Sequence, residues 1–163
     1  MQGATKLRRI RIWLAVFVIG LVLSGVTAFP LVHEIRWLAS FVALHPVLPA
    51  SMVAWIGRVH VALEDENARF PFLAYGTDWL AFAHLVLATA FVGPLVNPVR
   101  NKWVLQFGLI ACAAVPLLAL IAGPVRGIPF AWRLIDCSFG VFGAIPLGIA
   151  LRYTNGLERH SED

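Results

Sequence analysis

The chain has 163 residues, is 60% hydrophobic and only 13% charged, and carries a formal net charge of +4. A soluble domain runs nearer a quarter charged, so the composition excludes an ordinary water-soluble fold. The Lys and Arg residues sit at the ends of long apolar blocks rather than in one patch. They therefore read as topology signals, and nucleic acid is excluded as a partner.

The first apolar block, "IWLAVFVIGLVLSGVTAFPLV", predicts a membrane span over residues 12–32. It follows the basic stretch "KLRRIR" and contains "VTA" before Phe29, which are also features of a secretory leader. The apolar run is long for a leader, so the expectation is a retained anchor. Gly20, Ser24 and Ala28 recur at four-residue spacing, the pattern of a close helix-packing seam, either inside the chain or between two copies.

Residues 33–78 are too long for a simple turn. Leu31, Ile35, Leu38 and Val42 share one helical face, and Met52, Ile56, Val59 and Leu63 share another. Pro46 and Pro49 separate the two runs. One or two amphipathic helices lying in the membrane interface are expected here, and Trp37 and Trp55 suit that depth. Asp65, Glu66, Arg69 and Asp78 are accounted for by solvation and capping, with Thr77 the expected N-cap of the next span.

Three further spans follow at about 79–96, 103–123 and 130–153. The expected fold is thus all-α: one integral-membrane domain over 1–163, a four-helix bundle with an outer amphipathic segment between its first two spans. Gly140, Ala144 and Gly148 predict a second seam, and Pro116 and Pro146 predict kinks. Cys112 and Cys137 differ in depth and are not expected to pair.

Charge sets the orientation. Lys6, Arg8, Arg9, Arg11, Arg100, Lys102, Arg152 and Arg159 make eight basic residues on one side, against five on the other: Arg36, Arg58, Arg69, Arg126 and Arg133. The richer side is expected to be cytoplasmic, with both termini there. That implies a multi-pass protein of a bacterial inner membrane, its 33–78 segment outside.

Ionisable residues inside such a bundle are functional candidates. His84 lies nearly two turns into the second span, between Ala81 and Ala88 on one face. Asp136 shares a face with Gly140 and Gly143, and Arg133 sits one turn outward as a possible i,i+3 partner. His60 and Glu64 stand at i,i+4 on the outer segment. One outward-open cavity gathering His60, Glu64, His84 and Asp136 is expected. Imidazole and carboxylate ligands suit a transition metal, and His60 with His84 would serve as axial ligands to haem. With Arg133, the same groups would serve acid–base catalysis on an apolar or lipid-like substrate. Neither reading has a supporting motif: the chain contains no HExxH, CxxCH, P-loop or nucleophile elbow. The leading expectation is a non-catalytic subunit or accessory factor, partnered by the bilayer and by a larger membrane complex or a second copy.

Overall fold

The computed structural model describes residues 2–45 and 48–162. Seven α-helices and one 3-10 turn account for the architecture, and no strand occurs among the described residues. The helices are α1 (Gln2–Ala28), α2 (Leu31–Leu44), α3 (Ala50–Arg69), α4 (Ala74–Ala90), α5 (Val92–Val96), α6 (Lys102–Val125) and α7 (Phe130–Glu162). Among the described residues four stretches are long and apolar enough to cross a membrane: Gly3–Ala28, Pro71–Val96, Lys102–Val125 and Phe130–Arg159. The chain is a multi-pass, all-helical membrane protein. Cys112 and Cys137 are both free.

Prolines set most boundaries. Pro30 has no N–H to continue α1, so the chain turns at Phe29–Pro30 and restarts as α2, whose first amides at His33 and Glu34 donate to the Pro30 carbonyl. The expected span to residue 32 therefore ends earlier, and Leu31 and Val32 belong to α2. Pro46 lies outside the described residues, while Pro49 precedes the first turn of α3. Phe70, which leaves the helical region at φ −138 and ψ 58 before Pro71, closes α3. Pro71 then opens a 3-10 turn, Pro71–Leu73, that runs directly into α4. Thr77 consequently lies inside a helix rather than capping one. Pro94 cannot donate to the Ala90 carbonyl, and the helix breaks there, separating α4 from α5.

The α6–α7 connection is a Schellman motif. Ile128 N–H donates to Gly123 O and Gly127 N–H to Pro124 O, with Gly127 at φ +67. No side chain with a Cβ adopts that backbone readily, and Pro129 then prevents further winding.

Two compact units emerge: Met1–Val22 with Val86–Asp163, and Leu23–Leu85. In the first, α6 and α7 pack along each other, joined by the first half of α1 and by Phe91. Ile10, Leu14, Leu105, Leu147 and Ala150 are fully buried in its core. The Phe17 and Phe91 rings meet at 4.7 Å. Polar bonds tie down one end: Lys6 Nζ to Gly156 O at 3.1 Å, Arg9 to the Tyr153 hydroxyl at 3.0 Å, Lys102 to Glu158 at 2.6 Å. These contacts, with Thr154 fully buried, keep α7 helical well past Tyr153.

Close approach in this unit falls at glycines. A Cβ on Gly140 would strike the carbonyl oxygen of Cys112, with Pro116 Cδ 3.0 Å away. Pro116 is also the residue that leaves that carbonyl without its helical N–H donor. A Cβ on Gly143 would lie 3.0 Å from the Cys112 sulfur. Gly148, by contrast, has nothing within 4 Å.

In the second unit α2 and α3 pair through Ile35 and Val42 against Met52 and Ile56, the faces their periodicity marks. The end of α1 meets α4 at Gly25, where a Cβ would lie 2.9 Å from the Ala81 carbonyl and 3.0 Å from His84 Cβ. The expected seam through Gly20 and Ser24 is not filled among the described residues: both are exposed, and no described residue lies within 4 Å of a Cβ on Gly20.

Candidate functional site

The α2–α3 pair positions the first group of candidate residues. His60 and Glu64 sit one turn apart on α3, and α2 brings Arg36 across to them. Arg36 Nε donates to Glu64 Oε1 at 2.7 Å, and His60 Nε2 lies 3.1 Å from the same oxygen. The His60 contact is an ion-pair distance without good alignment: Nε2 is buried with no aligned hydrogen-bond partner among the described residues. The Arg36 bond holds the Glu64 carboxyl below the usual glutamate range; partial desolvation opposes this and His60 assists it. Glu64 is therefore a charged, oriented acceptor, suited to an ionic clasp more than to proton donation. Trp55, on the same helix, buries an indole N–H with no partner among the described residues, and its ring carries the Arg58 guanidinium at 5.4 Å.

His84 sits on the contact face of α4, with Ala81 and Ala88 buried beside it. It is half-buried, and its Nδ1 donates to the Leu80 carbonyl at 2.8 Å. That bond fixes the ring and leaves Nε2 as the nitrogen available for other chemistry.

Asp136 and Arg133 belong to the other unit, on α7. Asp136 is half-buried, and its side chain has no hydrogen-bond or ion-pair partner among the described residues. The expected pairing with Arg133 is not made. Arg133 instead lays its stem over Gly123 and its guanidinium over the Phe130 ring at 5.3 Å, with Nε buried and without a hydrogen-bond partner among the described residues. Gly123 admits this stem because it has no side chain. Among the described residues no three His, Cys, Asp or Glu side chains gather closely enough to hold a metal. Within the second unit His60 and Glu64 are brought together with Arg36.

A further group of residues went unremarked as chemistry in the sequence. The second unit contains a cleft of about 240 Å³ between the α1–α2 turn, the end of α3 and the start of α4. Its walls include Phe29, Pro30 and Leu63, and its polar lining is His33, Glu66, Asn67, Thr77 and Asp78. None of these five polar side chains has a hydrogen-bond or ion-pair partner among the described residues. The contrast with their neighbours is sharp: Glu64 pairs with Arg36, and Asp65 with Arg69. Thr27, Thr89 and Thr154 all donate back to their own helices, whereas Thr77 does not. The only signal in the sequence was the density of acids near residue 66, and solvation accounts for that equally well.

No protein-family model, curated protein or solved structure matches the chain.

Proposed function

We propose that this chain is a multi-pass protein of a bacterial inner membrane, with both termini in the cytoplasm, that acts as a non-catalytic subunit or accessory factor of a larger membrane complex. The eight-to-five division of basic residues supports the orientation. The α2–α3 pair is read as lying in the outer interface. Its exposed Trp37 and Phe41 rings stack at 5.5 Å, and Leu44 extends the same apolar surface.

The observation that carries the accessory reading is the uncovered small-residue face of α1. Gly20 and Ser24 are exposed within a membrane-spanning helix, and a Cβ on Gly20 would touch nothing. Small residues let helices approach closely in lipid, where van der Waals packing rather than the hydrophobic effect drives association. A face of this kind, left open by the described residues, suits a helix from elsewhere.

A photocrosslinking side chain at Ser24, activated in native membranes, tests this. The expected result is a protein adduct of defined mass, lost in Gly20→Leu and absent when the crosslinker is moved to exposed Leu118 on α6. Lipid adducts alone from Ser24 would overturn the reading. An adduct of twice the chain's own mass would replace the larger complex with a homodimer.

A further inference from the structure

We propose that the cleft between the α1–α2 turn, α3 and α4 binds a small organic ammonium ion with an apolar body. Three features of the cleft choose that class. Its charge comes from two carboxylates, Glu66 and Asp78, with no Lys or Arg in the lining. Anions are therefore repelled and a cation is favoured. Besides His33, its other polar groups are Asn67 and Thr77, which offer further oxygen acceptors in the same lining. The rest of the lining is mostly apolar and includes Phe29, an aromatic residue of the kind that accepts both hydrocarbon and a cation.

A bare metal ion does not fit the same facts. His33, Glu66 and Asp78 do not gather closely enough to share one ion. An alkyl- or arylammonium differs in the relevant way. Its several N–H donors reach separated acceptors, and its carbon body fills the rest of the volume. At about 240 Å³ the cleft lies below the usual range for drug-sized ligands, which limits the occupant to a small amine or a single headgroup.

The unpaired state of the lining is the second line of argument. Glu66, Thr77 and Asp78 are half-buried, and polar groups withdrawn from water keep most of their free energy only if something bonds them. Arg36 and Arg69 pair with Glu64 and Asp65 on the same helix, whereas Glu66 has no partner among the described residues. Two helices, α3 and α4, place Glu66, Asn67, Thr77 and Asp78 around one space, and a ligand completes their bonding. The amine comes either from a free solute or from the ammonium headgroup of a membrane lipid, since both present the same N–H donors.

The test uses the full chain purified in detergent, with benzylammonium chloride as the probe and calorimetry as the readout. Benzyl alcohol serves as the neutral analogue and calcium chloride as the metal control. Saturable binding of benzylammonium is expected, with benzyl alcohol and calcium far weaker. Glu66→Gln and Asp78→Asn should each weaken binding about tenfold, and Asp65→Asn should leave it unchanged. Ala74→Phe fills the cleft without altering charge and should abolish binding while the helical circular dichroism persists. Repeating the titration in nanodiscs separates the sources. Binding that disappears in phosphatidylethanolamine but persists in phosphatidylglycerol identifies the lipid headgroup as the occupant. Equal binding in both identifies a free amine. Absence of saturable benzylammonium binding, equal binding of benzyl alcohol, or binding unaffected by Asp78→Asn and Ala74→Phe would each overturn the proposal.

Discussion

Gly140→Ala tests the packing of α6 on α7, and Gly20→Ala supplies its control. Both residues sit in the interior of long helices, so both changes gain helix propensity of up to about 1 kcal/mol. Their surroundings differ completely. A methyl group at position 20 enters open space. At position 140 it strikes the Cys112 carbonyl oxygen, with Pro116 Cδ at 3.0 Å and Val115 Cβ at 3.2 Å. None of those atoms is the free end of a flexible side chain. One is backbone, one is in a ring, and one is a branched Cβ fixed to the helix. Relief requires α6 and α7 to move apart, and overpacking of this kind costs about 1–3 kcal/mol. After the propensity gain, Gly140→Ala should be destabilised by about 0–2 kcal/mol and Gly20→Ala left neutral or stabilised by up to about 1. The separation between the two, about 1–3 kcal/mol, corresponds to a difference in melting temperature of several degrees, at about 2–4 °C per kcal/mol. Thermal unfolding in detergent, followed by circular dichroism, reads it directly. Equal melting temperatures for the two variants would show that α7 does not approach α6 at Gly140, and the account of that seam would fail.

Gly25→Leu should destabilise by a comparable ~1–3 kcal/mol, because its side chain would meet the Ala81 carbonyl and the Cβ of His84; unfolding monitored as above checks it. The Arg36–Glu64 clasp makes a prediction in pH. Because the folded Glu64 pKa is depressed, its stabilisation is complete above the ordinary carboxylate range and is lost as pH falls through the folded value. Melting temperatures taken from about pH 6 down to about pH 3 should fall more steeply for the native chain than for Glu64→Gln; parallel curves would remove the clasp from the account. Orientation is tested by Val61→Cys, at an exposed site on α3. A membrane-impermeant maleimide should label it in cells whose outer membrane has been permeabilised but whose inner membrane is intact. Labelling only after the inner membrane is lysed would reverse the topology.

The spans were legible because hydrocarbon thickness leaves a direct mark on sequence. An apolar run of about twenty residues is what a bilayer requires, whatever the helix does beyond it. That same fact explains the errors at the ends. α1 begins at Gln2 and α7 continues to Glu162, because helices outlast their apolar stretches when ends are bonded, as Lys6 bonds Gly156. Thr77 looked like a cap by composition, but Pro71 had already started the helix two turns earlier. The amphipathic faces of α2 and α3 were equally readable, since periodicity names the buried side and these two helices bury that side on each other.

Contacts distant in sequence were not legible, and the candidate site consists mostly of them. The spacing of His60 and Glu64 placed both on one helix edge, but Arg36, the residue that determines the state of Glu64, lies 28 positions away. Small-residue spacing marked Gly20 and Gly140 alike, and only Gly140 has a neighbour against it. A glycine stripe records that close approach is permitted; which helix takes the opportunity is settled by the rest of the fold. The cleft shows the same limit from the opposite direction. Glu64, Asp65 and Glu66 are consecutive and read alike in sequence, yet the first two are neutralised by Arg36 and Arg69 while Glu66 lines the cleft without a partner among the described residues. Their difference arises from helical geometry: successive residues point about 100° apart, so adjacent acids face different neighbours. One faces α2, one its own helix, and one the space that Thr77 and Asp78 complete.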